Sequence, residues 1–162
     1  MVVVLDANCF IYAIDPGSAH YPALTKLLSE SRSGRVSIRV SRHTLEELSE
    51  KPDAALALAM EFEPLPYWPI GTIKELVGEI QDLSGTWEDA RRNEASQQEM
   101  HTLAKAGISI RDRGAYLDAV RSGADAFVTY DRSFVKEGKP QVEQTFGIPI
   151  VSAEVLLERL GL

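Results

Sequence analysis

Four acidic residues stand where their side chains could act together on a phosphate group. Asp6 directly follows an apolar run at the N-terminus, and Asp131 comes directly after another apolar run. Glu47 lies near the start of a predicted helix, and Asp112 lies just ahead of a second one. Carboxylates that converge from separate segments raise one another's pKa values and destabilise the fold unless a cation lies between them. The four acids therefore predict a metal site.

The residue types at this site indicate which cation it would hold. The chain contains one cysteine and three histidines, whereas zinc sites depend on thiolates and imidazoles. Carboxylate oxygens suit hard cations, so we expect Mg²⁺ or Mn²⁺. One or two such ions would activate a water, align it for in-line attack on phosphorus and screen the charge on the leaving oxygen. The four acids are thus expected to be both the metal ligands and the catalytic residues.

Each acid also has a purely structural explanation. Glu47 would complete a capping box with Thr44 at a helix start, and Asp112 would cap the helix that follows it. Asp131 would serve in a turn, where acids are common. Asp6 is the hardest to explain in this way, because aspartate is poorly suited to the end of a buried apolar strand. The placement of all four together favours the metal site.

The predicted elements would bring the acids to one edge of a sheet. Short apolar runs predict strands, and apolar residues at spacings of three and four predict helices. The predicted strands are residues 2–5, 36–40, 126–130 and 148–151, and the predicted helices are 20–31, 44–50, 53–61, 72–83, 114–122 and 153–160. Three prolines in residues 62–70 predict an edge strand or a stiff loop. Residues 86–106 are only loosely periodic, and a polar loop is expected between the last two strands.

This alternation of strands and helices predicts an α/β fold. We expect a single domain over residues 1–162, a three-layer sandwich in which helices flank a central, mainly parallel sheet with right-handed crossovers. The ligand crevice of such a sheet lies beyond the carboxyl ends of its strands. The four acids all follow strands or open the helices after them, so they are predicted to line that crevice.

Three segments around the acids resemble the motifs of one nuclease family, the PIN domains. The sequence LDANCFIY at residues 5–12 is similar to the first motif, an aspartate, any residue, then asparagine or serine before an apolar run. SRHTLEEL at residues 41–48 resembles the second motif, with Glu47 in register. The segment from Asp112 through GADAFVTYD at residues 123–131 resembles the third and fourth motifs joined by a helix. The resemblance covers nearly the whole chain and is strongest to VapC-type toxins.

The resemblance implies a PIN fold, a divalent metal and hydrolysis of RNA phosphodiester bonds, with Asn8 and Thr129 as polar supports of the acids. Asp118 competes with Asp112 for the third ligand position, and the register to Gly123 favours Asp112. A VapC-type toxin would have a small antitoxin whose tail enters the acidic groove, and it would form a homodimer. The segment before Asp112 is longer than in the smallest toxins, so the resemblance says less about the substrate and the partner than about the fold and the metal.

The overall charge opposes binding of RNA by bulk attraction. Twenty-four acids against seventeen bases give a net charge of −7, which is the wrong sign for a protein that attracts nucleic acid electrostatically. Four arginines near the acids could still contact phosphates locally, Arg42, Arg111, Arg113 and Arg132. Alternatively, these arginines pair with neighbouring acids.

Other features exclude several classes. Cys9 has apolar neighbours and is expected to be a buried, inert thiol. A haloacid-dehalogenase-like phosphatase would need an acid two residues after its first aspartate, where this chain has Asn8. A receiver domain would need a lysine after a late strand, and Lys136 is not well placed. A non-catalytic PIN-like module that binds RNA or protein stays open. Without an apolar span or signal peptide, we expect a cytoplasmic protein.

Overall fold

The computed structural model describes residues 1–66, 97–136 and 139–162. Five strands in these ranges form one sheet, and they are β1 (Val2–Leu5), β2 (Ser37–Val40), β3 (Glu63–Pro64), β4 (Ala126–Val128) and β5 (Ile150–Val151). Their order across the sheet is β3-β2-β1-β4-β5. Each neighbouring pair runs parallel. The predicted α/β fold is confirmed, and the sheet is parallel throughout the described ranges.

Eight helices with defined bounds accompany these strands in the described ranges. They are α1 (Ala7–Ala13), α2 (Tyr21–Arg32), α3 (Arg42–Leu48), α4 (Asp53–Ala59), α5 (Ile110–Arg121), α6 (Arg132–Lys136), α7 (Lys139–Phe146) and α8 (Ala153–Arg159). Residues 97–105 are helical as well. None of the helices within the described ranges is both long and apolar enough to cross a membrane.

Two hydrophobic cores cover the two faces of the sheet. Side chains alternate along a strand, and in β1 Val3 and Leu5 enter one core whereas Val4 enters the other. The first core includes buried residues of α1, α2, α4 and α8. The second includes Tyr116 of α5 and Val142 of α7. The central strand is apolar on both faces because both faces are covered, which agrees with the three-layer prediction.

Gly123 turns the chain from α5 into β4. It has a positive φ of 67°, a conformation in which a Cβ would be strained. Its amide donates to the carbonyl of Val120 at 3.1 Å, and the amide of Ala124 donates to the carbonyl of Ala119 at 3.1 Å. These bonds end α5 in a tight glycine turn. The helix that carries Asp112 is thereby joined directly to the strand that precedes Thr129.

Three helix starts differ from the sequence predictions. Residues 7–13, for which no element was predicted, form α1 immediately after Asp6. The helix α3 begins at Arg42 rather than at Thr44, because Ser41 is its N-cap. The helix α5 begins at Ile110 rather than near Gly114, which places Asp112 inside its first turn. The capping-box explanation of Glu47 and the cap explanation of Asp112 are therefore wrong.

Two further segments complete the comparison with the predicted elements. The expected polar loop between the last two strands is wrong, since residues 132–136 and 139–146 are helical there. The proline-containing segment does contribute an edge strand, β3, next to β2. The predicted helix at residues 72–83 lies outside the described residues, as does the first part of the segment 86–106.

Candidate metal centre

Three carboxylates meet at the carboxyl end of the central strand. Asp6 follows β1, Glu47 lies on α3 and Asp112 lies in the first turn of α5. Each offers one oxygen, and the three oxygens lie within 4.8 Å of one another. Oxygens on opposite sides of one Mg²⁺ are about 4 Å apart. The three acids, here called the acidic triad, therefore fit a shared hard cation after small side-chain movements.

Two hydrogen bonds hold the carboxylate of Asp6 in place. Its Oδ1 accepts from the amide of Ala7 at 2.8 Å, which makes Asp6 the N-cap of α1. Its Oδ2 accepts from the hydroxyl of Thr129 at 2.7 Å. Thr129 thus lies where the resemblance placed it, behind the acids. Asn8 lies in the first turn of α1 and is half-buried, and its side chain makes no hydrogen bond to the rest of the described chain.

Burial makes the charged form of Asp6 costly. The side chain is only 2% exposed, and its removal from water is the main reason that the pKa of Asp6 rises to about 7. The negative charges of Asp112 and Glu47 raise this pKa further, while the hydrogen bonds from Thr129 and Ala7 oppose the rise. A cation among the three acids would reverse this balance, because a metal ligand must be deprotonated.

Asp131 is not a member of the acidic triad. Its Oδ1 accepts from the amide of Ser133 at 2.5 Å, at the start of α6. Its own amide donates to the hydroxyl of Thr129 at 3.0 Å, and Thr129 in turn donates to Asp6. The structure thus brings three of the four predicted acids together, and it connects the fourth to them through Thr129.

Contacts are defined for two of the four arginines predicted to bind phosphate, Arg42 and Arg113. The Nε of Arg42 donates to Glu46 at 2.9 Å, which is the alternative of pairing with a neighbouring acid. The Nε of Arg113 donates to the backbone carbonyl of Ile108 at 2.7 Å. Arg132 is exposed at the first residue of α6. The side chain of Arg111 lies outside the described part of the structure.

Asp118, the competitor of Asp112, lies elsewhere. It is 1% exposed, and its Oδ2 accepts from the hydroxyl of Ser41 at 2.7 Å. This pair joins α5 to the N-terminus of α3. Sequence reasoning missed the role of Ser41, although a serine between a strand and a helix is a common N-cap.

Gly114 allows α3 and α5 to approach closely. A Cβ built at Gly114 would lie 2.6 Å from Cδ2 of His43, in the first turn of α3. Any larger residue at this position would therefore force the His43 ring or one of the two helices to shift. The contact lies two residues from Asp112 along α5, so the separation of the two helices also determines how near Glu47 comes to Asp112.

Cys9 is not a candidate nucleophile. It is fully buried, and its Sγ donates to the carbonyl of Val128 at 3.3 Å. Burial raises the pKa of the Cys9 thiol well above its usual value, so the reactive thiolate is disfavoured. The prediction of an inert, buried thiol is confirmed.

No known family model matches the chain, and no curated protein or solved structure is significantly similar to it. The chemistry of the acidic triad and the motifs around it are therefore the basis for assigning a function.

The raised pKa of Asp6 makes the stability of the metal-free protein depend on pH. Between about pH 4 and pH 7 the native state keeps a proton on Asp6 that the unfolded state has lost. The free energy of unfolding should therefore fall as the pH rises through this window. Asp6→Asn should remove most of that fall, because the asparagine amide does not titrate in this range. The variant should still fold, because asparagine also caps helices and can donate to Thr129.

Urea unfolding at pH 5 and pH 8 in the presence of a chelator measures this effect. In separate samples, Mn²⁺ replaces the chelator, and it should stabilise the wild-type protein at pH 8 and leave the stability of Asp6→Asn almost unchanged. Glu50→Gln, a change at an exposed acid outside the triad, is the control and should behave like the wild type. The prediction would be contradicted if the free energy of unfolding fell from pH 5 to pH 8 by the same amount in the wild type and in Asp6→Asn.

Gly114→Ala should push α3 away from α5. The added methyl group would overlap the His43 ring, so Glu47 should move away from Asp112 and the affinity for Mn²⁺ should fall about 10- to 100-fold. The overlap should also lower the free energy of unfolding. Part of this loss should be offset, because alanine favours the helix by about 1 kcal/mol over glycine. Calorimetric titration with Mn²⁺ measures the affinity. The double variant His43→Ala/Gly114→Ala should recover it, and an unchanged affinity in Gly114→Ala would show that the contact does not position the triad.

Proposed function

We propose that this chain is a divalent-metal-dependent endoribonuclease that hydrolyses RNA phosphodiester bonds, with Mg²⁺ or Mn²⁺ held by Asp6, Glu47 and Asp112. One observation supports the proposal most strongly. An oxygen from each of these three carboxylates lies within 4.8 Å of the other two, beyond the carboxyl ends of the parallel strands. Their chain positions are far apart, and two of them are buried. Such an arrangement is unfavourable by itself, and a bound cation explains it.

The residues of the triad have different surroundings, which support different roles. Asp6 and Asp112 are buried, and Asp6 is held on both oxygens, so these two acids suit the task of fixed ligands. Glu47 is half-buried and faces the site from α3, so it can contact both a cation and a water or phosphate on the open side. A divalent ion bound here would acidify a water and screen the charge on the phosphate.

The motif resemblance extends the proposal to the substrate and the family. The segments around Asp6, Glu47 and Asp112 resemble PIN-domain motifs, and RNA is the substrate that this resemblance implies. A VapC-type toxin with a protein antitoxin, acting as a homodimer in the cytoplasm, is the more specific form of the proposal. The net charge of −7 means that RNA must be attracted by the cation and by local groups such as the exposed Arg132.

A PIN-like module that binds without cutting is the second candidate. The position of Asp131 favours it, because the Asp131 carboxylate accepts from the Ser133 amide and does not join the triad. A site with three acids could bind a cation and a phosphate and yet lack a group that activates water. Cleavage assays separate the two functions.

We expect purified protein with Mn²⁺ or Mg²⁺ to cut RNA in a panel of single-stranded and structured substrates. Asp6→Asn, Glu47→Gln and Asp112→Asn should each reduce the cleavage rate by more than the roughly 10- to 100-fold loss typical of removing a residue behind a metal ligand. Asp131→Asn should have a smaller effect, since its carboxylate lies outside the triad.

Denaturing gels and sequencing of the product ends measure cleavage, and Glu50→Gln is a control that should retain full activity. Calorimetry on the same preparations measures Mn²⁺ binding. Binding of Mn²⁺ without cleavage of any substrate would favour the binding module. Cleavage that persists in Asp6→Asn, or an absence of Mn²⁺ binding in the wild type, would overturn the proposed function.

A further inference from the structure

A second buried carboxylate, outside the acidic triad, lies on the same helix as Asp112. Asp118 is 1% exposed, and its Oδ2 accepts from the Ser41 hydroxyl. Its Oδ1 is buried without a hydrogen-bond partner among the described atoms. A buried carboxylate oxygen without a partner costs stability, so packing alone does not explain an aspartate at this position.

Asp118 controls the orientation of the Ser41 hydroxyl. A serine hydroxyl has one hydrogen to donate and two lone pairs that accept. Because the hydrogen of Ser41 points to Asp118 at 2.7 Å, the lone pairs are left for the amide of His43, which donates to Ser41 Oγ at 3.1 Å. Asp118 therefore sets the rotation of the hydroxyl that caps α3, and it attaches that cap to α5.

One side of α3 carries three polar residues at a spacing of three. Ser41 contacts Asp118 on α5. Thr44 donates from its hydroxyl to the carbonyl of Leu5 at 3.5 Å, at the end of β1. Glu47 reaches the acidic triad. Residues three apart on a helix lie near one another on its surface, so the two contacts hold the side of α3 from which Glu47 extends.

The same contacts join the elements that carry the other two acids. The end of β1, held by Thr44, leads directly into Asp6, and α5, held by Ser41, carries Asp112 six positions before Asp118. Ser41 and Asp118 are separated by 77 positions in the chain. This pair is thus a long-range connection between the helix of Glu47 and the helix of Asp112.

We propose that Asp118 is a positioning residue of the metal centre, which acts through the Ser41 hydroxyl to hold α3 so that Glu47 meets Asp6 and Asp112. This inference rests on the metal site of the proposed function. Asp118 is not among the three acids whose oxygens meet, so its proposed role is indirect. It sets the distance between the Glu47 carboxylate and the other two acids, and this distance determines the affinity of the triad for a divalent cation.

Asp118→Leu and Asp118→Asn test the proposal as a pair. Leucine has no acceptor for Ser41, so Asp118→Leu should weaken Mn²⁺ binding about 10- to 100-fold. Its thermal unfolding midpoint should fall as well, because the buried Ser41 hydroxyl loses its acceptor, so Mn²⁺ affinity is measured well below that midpoint. Asparagine keeps an acceptor oxygen, so Asp118→Asn should retain Mn²⁺ affinity close to that of the wild type.

A double-variant cycle distinguishes positioning from general loss of structure. Asp118→Leu should have almost no further effect on Mn²⁺ affinity in a Glu47→Gln background, because its effect passes through Glu47. Equal losses in both backgrounds would overturn the proposal.

Ser41→Ala breaks the same link from the other side and serves if Asp118→Leu does not fold. It should weaken Mn²⁺ binding to a similar degree. Ser152→Ala is the matched control, since Ser152 caps α8 through a hydrogen bond from the Val155 amide and has no contact with the triad in the part of the chain described. Ser152→Ala should lose stability and keep Mn²⁺ affinity.

Wild-type protein titrated alongside the variants separates the two possible failures. If the wild type binds Mn²⁺ and cuts RNA, but both Asp118→Leu and Ser41→Ala bind Mn²⁺ as tightly, the positioning role is wrong and the nuclease proposal stands. If the wild type does not bind Mn²⁺, both proposals are wrong.

Discussion

The burial of a carboxylate beside two other acids is the constraint on which this edge of the sheet depends. Asp6 ends the central strand of the described sheet, where water is excluded and where Glu47 and Asp112 add negative charge. Hydrogen bonds from Thr129 and the Ala7 amide hold its carboxylate without neutralising it. The fold therefore keeps an acid in place at a cost to its own stability. Such a cost is typical of functional sites, where a ligand supplies the missing interaction.

Rigid elements, and not long loops, position the acids. Asp6 is both the last residue before α1 and its N-cap, so strand and helix are joined without an intervening turn. The helices α3 and α5 are fixed to each other by the Ser41–Asp118 hydrogen bond and by the close contact of His43 with Gly114. Sites built on helices and strands keep more precise geometry than sites built on loops. Small changes at these contacts should therefore alter the distances between the three carboxylates of the triad.

The pattern of apolar residues predicted much of the fold. The predictions that failed concern helix starts with more than one possible N-cap residue and short helices. Continuous apolar runs identified the buried strands, since both sheet faces are covered. At the start of α3, however, both Ser41 and Thr44 are good N-cap residues. Ser41 caps the helix through the His43 amide, whereas the Thr44 hydroxyl donates to the carbonyl of Leu5. Residues 132–136 and 139–146 form helices too short for a periodic apolar pattern to distinguish them from a polar loop.

The sequence by itself determined which acids lie near the carboxyl ends of the strands, because parallel strands all end at the same edge of a sheet. Asp6 directly follows a strand, and Glu47 and Asp112 lie on helices that begin at that edge. Only the tertiary structure decided which of them meet. Asp131 lies three residues beyond the end of β4 and not directly after a strand as predicted, and its carboxylate accepts from the Ser133 amide, which agrees with the turn role that its local sequence also suggested. Asp118 pairs with a serine 77 positions away. The Ser41–Asp118 pairing depends on how closely α3 packs on α5, and the volume of side chains at that contact sets this distance, which no local pattern encodes.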